Sequence, residues 1–284
     1  MRPRPGDIDP LIDSALKEDM PAGDITSESL IPPDLRSRAV FLAKEDGVLA
    51  GLEVARRVFE RIDPSIRFRA YFRDGQAFKE GDVLAEVRGR SLSLLKGERT
   101  ALNFLQRMSG IATKTRRFVE AVAGTGARIL DTRKTTPTLR RLEKYAVRMG
   151  GGENHRRSLS DMVLIKDNHL ALVGSIAEAV RRAREKAGRA ACVEVEVAGF
   201  AAAREAVAAG ADRVMLDNMP LNRMRPVVRW LKGKVPIEVS GKVSLERARR
   251  IAGLGVDYIS VGGLTHSFGS VDISLEFRKG PNDA

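Results

Sequence analysis

The sequence predicts an α/β protein in which a small α+β module precedes a βα barrel. From Ala127 onward, short apolar runs alternate with helical segments, as buried parallel strands and their connecting helices do. Polar or small residues end four successive runs at steps of 21, 23 and 22 positions, from Glu196 to Asp217, Ser240 and Gly262. No dinucleotide-binding glycine fingerprint follows any of these runs. The compact repeat therefore favours a barrel over a doubly wound sheet.

The first module, residues 1–110, is predicted from apolar runs and the turns between them. A short helix is expected over residues 9–18, with Asp9 as its cap and Pro10 at its first position. Asp-Gly, Glu-Gly and Asp-Pro turns then separate segments that predict one helix, LEVARRVFERI, and four strands: AVFLAKE, GVLAG, RFRAYF and DVLAEV. A long helical stretch follows over residues 91–123, and a break is expected near Ser109 and Gly110.

The second module, residues 111–268, carries the alternating pattern. Its predicted strands are ARILDT, MVLIKD, CVEVEV, DRVMLDN, PIEVSG and YISVGG. Its predicted helices are TLRRLEKYAVRMG, SIAEAVRRAREKAG, FAAAREAVAAG, LNRMRPVVRWLK and LERARRIAGLG, several of which end in glycine. The tail, VDISLEFR, is again β-like, so we expect residues 269–284 to return to the first module.

Composition excludes several classes of protein. Hydrophobic residues make up 43% of the 284 residues and charged residues 30%, which is typical of a soluble globular chain rather than a disordered one. No apolar run approaches the roughly 20 residues of a membrane span, and the start of the chain lacks the apolar core of a signal peptide. A cytoplasmic protein without a membrane partner is expected. The single cysteine, Cys192, excludes an intramolecular disulfide and disfavours a cysteine-based metal site.

The net charge of +12 first suggests nucleic acid as a partner. Aromatic residues are only 5% of the chain, however, and no zinc-finger or RNA-recognition motif is present. Much of the excess charge occurs as arginine pairs on predicted helices, which is typical of a solvated helix face. The sequence therefore predicts no nucleic-acid partner.

Chemistry-bearing residues gather where the predicted strands end, and in a barrel these ends meet at one mouth. Arginine and lysine there can bind carboxylates or phosphates, the two acidic residues can bind Mg²⁺ or sugar hydroxyls, and glycine turns can expose N–H groups to a phosphate. The set comprises Arg133, Lys134, His155, Arg156, Lys166, Glu196, Asp217, Ser240, Gly241, Gly262 and Gly263. Such a site suits a multiply anionic small molecule.

Simpler interpretations of the same residues stay open. Arg133 and Lys134 could be surface cations, and Glu196 could pair with a basic residue inside the barrel. Ser240 and Gly241 could form a plain turn, and Asn168 and His169 could merely close a loop. His155 is expected to stay neutral, because it lies among cations in the sequence. Asp131 is expected to support the site rather than to catalyse.

The motif series resembles that of the quinolinate phosphoribosyltransferase family over nearly the whole chain. The resemblance is carried by EDMPAGDIT, GERTALNFLQRMSGIAT, DTRKTTPTLRRLEKYAVRMGGGENHR, LIKDNH, VEVEV, VMLDNM, IEVSG and ISVGGLTHS. It implies an incomplete, roughly seven-stranded α/β barrel beside an N-terminal α+β sandwich domain. It also implies transfer of a phosphoribosyl group from phosphoribosyl pyrophosphate to quinolinate, with decarboxylation, Mg²⁺ as cofactor, and a homodimer or larger homo-oligomer with shared active sites.

The resemblance also implies roles for individual residues. Quinolinate would be bound by Arg133, His155, Arg156 and Lys166, together with Arg99 from a partner subunit. Lys134 would act near the pyrophosphate, and Glu196 and Asp217 would hold the ribose hydroxyls and the metal, directly or through water. The 5′-phosphate would be bound by Ser240, Gly241, Gly262, Gly263 and His266.

Two positions depart from the family pattern, and three other functions were weighed. Lys242 stands where the family usually has glycine, and Gly263 where it often has alanine. A polyanion-binding protein would use the +12 surface. A related barrel protein of molybdenum-uptake operons is disfavoured by the intact KDNH element and by Arg133-Lys134 followed by two threonines. A transferase that accepts nicotinate directly is disfavoured by the number of carboxylate-binding cations, although charge alone does not exclude it.

Overall fold

The computed structural model describes residues 4–188 and 191–278. The helices in these residues are α1 (Pro5–Asp19), α2 (Ile25–Leu30), α3 (Leu52–Ile62), α4 (Ser91–Ala121), α5 (Arg140–Met149), α6 (Asp167–Val173), α7 (Ile176–Ala187), α8 (Phe200–Ala208), α9 (Leu221–Leu231), α10 (Leu245–Ala252) and α11 (Gly263–His266). The strands are β1 (Arg36–Ala43), β2 (Gly47–Val48), β3 (Arg67–Ala70), β4 (Ala77–Phe78), β5 (Val83–Arg90), β6 (Arg128–Leu130), β7 (Val163–Ile165), β8 (Val193–Val197), β9 (Arg213–Asp217), β10 (Ile237–Ser240), β11 (Tyr258–Ser260) and β12 (Ile273–Arg278).

The chain forms two compact units. The first comprises Met1–Arg116, Thr136–Gly151 and Phe268–Ala284, and the second comprises Arg117–Thr135 and Gly152–Ser267. No helix in the described part of the chain combines the length and the apolarity that crossing a bilayer requires.

A four-stranded antiparallel sheet is the centre of the first unit, in the order β12-β1-β5-β3. Its buried face meets α3 through Phe41, which contacts the rings of Phe59 and Phe68 at centroid distances of 6.2 and 5.9 Å. β12 pairs with β1 in an antiparallel register. Residues 273–278 therefore lie in the sheet of the first unit. The rest of the tail, residues 279–284, lies outside the described residues.

Two expectations about helices in this unit are wrong. The first helix begins at Pro5 rather than at residue 9, so that Pro10 lies inside it. The long helix α4 runs over 31 residues without the expected break near Ser109 and Gly110. A Cβ atom at Gly110 would lie 2.1 Å from the carbonyl oxygen of Gly269, so glycine permits a close backbone approach there. The hydroxyl of Ser109 accepts a hydrogen bond from the backbone N–H of Ala50 at 3.1 Å.

The second unit holds a six-stranded sheet in the order β6-β11-β10-β9-β8-β7, in which all neighbouring strands are parallel. All six strands coincide with runs predicted from the sequence. The described sheet has six strands rather than the roughly seven implied by the family resemblance, and a single parallel bridge joins Leu130 to Glu153 beside β6. The segment with Asn168 and His169, expected as a possible loop closure, instead forms α6.

Candidate active site

A cavity of about 860 Å³ lies at the carboxyl ends of the parallel strands of the second unit. Its lining contains twelve of the thirteen residues predicted for the site: Arg133, Lys134, His155, Arg156, Lys166, Glu196, Asp217, Ser240, Gly241, Gly262, Gly263 and His266. The thirteenth, Arg99, is exposed on α4 in the first unit. The structure thus brings twelve of the residues to one cavity, and the roles assigned to them stay predictions.

Strand register explains why these side chains meet. Residues that alternate along a strand share one face, and the carboxyl ends of parallel strands lie at one edge of the sheet. Ser240 on β10 lies opposite Asp217 on β9, and Glu196 on β8 lies opposite Met215 on β9. Short apolar strands with a polar residue at or next to the carboxyl end therefore produce an apolar sheet with a polar rim.

The Lys166 ammonium and the Glu196 carboxylate form an ion pair with a separation of 3.2 Å. Glu196 thus pairs with a basic residue, and both members of the pair line the cavity. Burial raises the pKa of Glu196, the Lys166 charge acts in the opposite direction, and the Asp217 charge adds to the rise. At the start of α6, the backbone N–H of Lys166 donates to Nδ1 of His169 at 3.0 Å, which fixes the backbone from which the ammonium extends.

Two loops of the site are held by buried polar side chains. Asp131, fully buried at the end of β6, accepts hydrogen bonds from the backbone N–H of His155 at 2.9 Å and from Nδ2 of Asn154 at 2.5 Å. The buried hydroxyl of Thr265 donates to the carbonyl oxygen of Lys134 at 2.8 Å. Asp131 thus supports the site, as the sequence suggested, and Thr265 fixes the backbone beside the Lys134 side chain.

A largely buried charged network lies at the base of the cavity, whose lining includes His155, Glu238 and Ser260, and the sequence analysis missed most of it. Nε2 of His155 lies 3.1 Å from a carboxylate oxygen of Glu194 and 3.4 Å from one of Glu238. Arg213 donates to the other oxygen of Glu238 at 3.1 Å, and the Ser260 hydroxyl donates to Glu238 at 2.5 Å. These five residues connect β8, β9, β10 and β11 with the loop that carries His155.

Strand alternation was the signal that could have revealed this network. In VEVEV, Glu194 shares a strand face with Glu196, and in IEVS, Glu238 shares a face with Ser240. In RVMLD, Arg213 likewise shares a face with Asp217. Glu194 and Glu238 each lie one layer below a residue that was predicted for the cavity, and Arg213 lies two layers below one.

The expectation that His155 is neutral is wrong, because its spatial neighbours on the parallel sheet are carboxylates. Burial acts to lower the pKa of His155, but the hydrogen bonds and charges of Glu194 and Glu238 outweigh it and raise that pKa to about 9. The backbone N–H of Arg156 lies 2.7 Å from Nδ1, an arrangement that by itself suits a neutral ring. We favour the imidazolium, because two close carboxylates in a buried site outweigh one amide dipole.

The pKa values of the two glutamates of the network shift in opposite directions. Burial raises the pKa of Glu194 to about 7. Burial acts in the same direction on Glu238, but His155 and Ser260 hydrogen-bond to its carboxylate and lower its pKa. The donor atoms of His155, Glu194 and Glu238 lie within 4.8 Å of one another, which could hold a metal ion. Arg213 and the imidazolium offset the negative charge of the two carboxylates. Within the described residues, the buried Oε1 of Glu194 has no hydrogen-bond partner.

Glu196 and Asp217 form a second, cavity-facing pair of carboxylates. Both line the cavity, and the effect of Asp217 on the pKa of Glu196 indicates that the two groups are close enough to interact. Carboxylate oxygens are the ligands that Mg²⁺ prefers in proteins. The side-chain amide of Asn218 donates to Asp217 at 2.6 Å and orients its carboxylate.

Two family models match the chain. The N-terminal domain of quinolinate phosphoribosyl transferase matches residues 24–109, and the C-terminal domain of the same family matches residues 111–276. The chain is 44% identical over 266 residues to a probable nicotinate-nucleotide pyrophosphorylase (carboxylating) of Bacillus subtilis, which covers 94% of this chain and 92% of that protein. It is 40% identical over 289 residues to quinolinate phosphoribosyltransferase (decarboxylating) 2a, mitochondrial, of Nicotiana tabacum, covering 95% of this chain and 82% of that protein.

The chain is also similar to solved protein structures. The crystal structure of NadC from Streptococcus pyogenes matches with a TM-score of 0.94 and 44% sequence identity, covering 98% of this chain and all of that one. A nicotinate-nucleotide pyrophosphorylase from Francisella tularensis matches with a TM-score of 0.92 and 37% identity, covering 98% of both chains.

Proposed function

The chain belongs to the quinolinate phosphoribosyl transferase family, and on this basis we propose how its cavity performs the reaction of that family. The reaction transfers the phosphoribosyl group of phosphoribosyl pyrophosphate to quinolinate, with loss of one carboxyl group. Its products are nicotinate mononucleotide, pyrophosphate and CO₂, and it belongs to NAD biosynthesis. The observation that carries the assignment to this cavity is the meeting of five cations and two carboxylates at its strand ends.

The cations suit two anionic substrates that must share one site. Quinolinate carries two carboxylates on adjacent ring carbons, and arginine binds a carboxylate through two parallel hydrogen bonds. Arg133 and Arg156 line the cavity, and the Arg133 charge helps to lower the pKa of Arg156, after the larger effect of burial. Two guanidinium groups close enough to repel each other are stabilised when a dianion lies between them. We assign quinolinate to Arg133 and Arg156, with Lys166 and the imidazolium of His155 adding positive charge.

The carboxylates suit the ribosyl group. Departure of pyrophosphate leaves positive charge on the ribosyl carbon, which Glu196 and Asp217 stabilise electrostatically. These carboxylates fit Mg²⁺ directly or through water, and the bound ion would neutralise the leaving pyrophosphate together with Lys134. The pyridine nitrogen of quinolinate then forms the new bond to the ribosyl carbon. Loss of the adjacent carboxylate as CO₂ leaves an electron pair on the ring carbon, which the neighbouring cationic nitrogen stabilises. That carbon then takes up a proton from water to complete nicotinate mononucleotide, so the step needs little acid–base assistance from side chains.

Several finer features belong to the same proposal. Ser240, Gly241, Gly262, Gly263 and His266 are assigned to the 5′-phosphate. The active enzyme is a homodimer or larger homo-oligomer in the cytoplasm, and Arg99 reaches the quinolinate of a partner subunit. The six-stranded sheet is the wall of an incomplete barrel.

The direct test is product formation. The protein is incubated with quinolinate, phosphoribosyl pyrophosphate and Mg²⁺, and nicotinate mononucleotide is measured by chromatography while CO₂ is measured from carboxyl-labelled quinolinate. We expect the two products in equal amounts, and a large loss in Arg133→Ala. Arg157→Ala is the matched control, because Arg157 is an exposed arginine beside Arg156 that does not line the cavity. Faster turnover with nicotinate than with quinolinate, or no mononucleotide from either, would contradict the proposal.

A further inference from the structure

The loop that follows β10 has an unusual and well-fixed backbone. Gly241 has a φ of +100°, and the next residue, Lys242, has a φ of +46°. At the end of the neighbouring strand, Asn218 has a φ of +48°, and its backbone N–H donates to the carbonyl oxygen of Ser240 at 3.0 Å. A Cβ atom at Gly241 would lie 2.2 Å from Oδ1 of Asn218. The two strand ends therefore interlock, and this contact fixes the direction in which the loop leaves the sheet.

Lys242 adopts this backbone at an energetic cost. A left-handed φ brings Cβ too close to the backbone in every residue except glycine, and asparagine tolerates it best among the others. In the described part of the chain, the non-glycine residues with positive φ are Thr138, Asn218 and Lys242, and the last two line the cavity. Backbone strain tends to be kept where it serves a site. Glycine at position 242 would adopt this backbone conformation without strain, so the presence of a lysine needs a separate explanation.

The charge of Lys242 supplies that explanation. Its side chain is exposed at the cavity lining, and among residues 4–188 and 191–278 it has no hydrogen bond or ion pair. Lys166, by contrast, is paired with Glu196 in the same cavity. A cation that faces a cavity without an acidic partner is available to an anionic ligand, and its charge is not already neutralised.

We propose that Lys242 binds a phosphate group of the phosphoribosyl substrate and thereby sets the preference of this cavity for a 5-phosphorylated ribose. This inference rests on the proposed function and adds a residue to its phosphate-binding side. The ammonium extends from a loop whose neighbours, Ser240 and Gly241 before it and Ser244 after it, also line the cavity. Quinolinate would lie on the opposite, arginine-bearing side, so its binding should not depend on Lys242.

Four variants separate the charge from the backbone strain. Lys242→Arg keeps the charge, whereas Lys242→Gly and Lys242→Ala both remove it. Glycine relieves the left-handed strain, and alanine keeps it. Lys232→Ala is the matched control, since Lys232 is also exposed but precedes β10, at the opposite end of the strand from Lys242. Calorimetric titration measures the Kd values of ribose 5-phosphate, phosphoribosyl pyrophosphate and quinolinate for each protein, and thermal unfolding reports on its fold.

We expect Lys242→Gly and Lys242→Ala to weaken the binding of ribose 5-phosphate about 10-fold, as for the loss of one charge-assisted contact. Quinolinate binding should change by less than about 2-fold. Lys242→Arg and Lys232→Ala should bind both ligands like the parent protein. Lys242→Gly should unfold at the same or a higher temperature than Lys242→Ala, so its weaker binding cannot be attributed to a damaged fold.

Two results would overturn the inference. Unchanged binding of ribose 5-phosphate in Lys242→Gly would show that the ammonium does not contact the phosphate. Weaker binding in Lys242→Ala alone would show that only the backbone of the loop matters. Failure of the proposed function is distinguishable, because the parent protein would then form no nicotinate mononucleotide at all.

Discussion

The buried imidazolium predicts a specific dependence of stability on pH. The pKa of His155 is raised from 6.5 to about 9 in the folded protein. Because the folded value exceeds the unfolded one, the protonated ring stabilises the fold fully below about pH 6.5, and this contribution is lost as the pH rises through about 9. A shift of this size, at about 1.4 kcal/mol for each pH unit, corresponds to about 3 kcal/mol. The ring is buried, so solvent screening reduces this value little.

Urea unfolding at about pH 6 and about pH 9.5 measures this contribution. We expect the free energy of unfolding of the parent protein to fall by about 3 kcal/mol between these conditions, and His155→Gln to lack this fall whatever its absolute stability. The contribution of Glu194, whose pKa burial raises to about 7, is also lost as the pH rises, over the lower range between about 4.5 and 7, so only the last part of that loss falls between these two conditions. His266→Gln, at an exposed histidine, is the control and should keep the fall. An equal fall in His155→Gln and the parent protein would refute the assignment of the proton to this ring.

Three further predictions concern the proposed reaction. Arg133→Ala and Arg156→Ala should each weaken quinolinate binding by roughly 30- to 1,000-fold, because a charge-assisted pair is lost, and equal losses for phosphoribosyl pyrophosphate in titrations would contradict this. Asp217→Asn should stay folded and bind quinolinate but lower kcat, because charge is lost where the ribosyl cation develops; unchanged kcat at saturating Mg²⁺ would disprove the role. Mixing inactive Arg99→Ala and Arg133→Ala proteins should restore about a quarter of parental activity if subunits share sites, and no recovery after confirmed subunit exchange would falsify sharing.

The strands of the second unit could be predicted because each is a short, largely apolar run with a polar residue at or next to its carboxyl end. That pattern places Glu196, Asp217 and Ser240 at one edge of a parallel sheet without any knowledge of tertiary contacts. The same local pattern does not reveal which side chains a buried residue of the sheet contacts. Glu194 and Glu238 could have been assigned to a solvated face, since their partners come from other strands and from the His155 loop. The charge of His155 was mispredicted for the same reason: its sequence neighbours are cations, but its spatial neighbours are carboxylates.

Tertiary packing also determined the secondary structure at positions where the local sequence signal was weak or misleading. Ser109 and Gly110 carry the composition of a helix break, yet the helix continues, because the glycine lies against the backbone of Gly269 and the serine bonds to Ala50. Asn168 and His169 have low helix propensity, but the His169 ring accepts from the Lys166 N–H and helps to begin α6. In both cases a specific contact determines whether the helix forms. A helix propensity averaged over a sequence window does not include such a contact.

The pairing of β12 with β1 has a consequence for synthesis of the protein. Arg38 and Arg278 are neighbours in one sheet, so β1 stays without its outer partner until almost the whole described chain has left the ribosome. An unpaired edge strand exposes N–H and C=O groups that can pair with another chain. Contacts between residues so distant in sequence also form slowly. A nascent or truncated chain lacking Ile273–Arg278 would therefore present β1 as a template for aggregation, and chaperone binding to that edge would be of most use just before release.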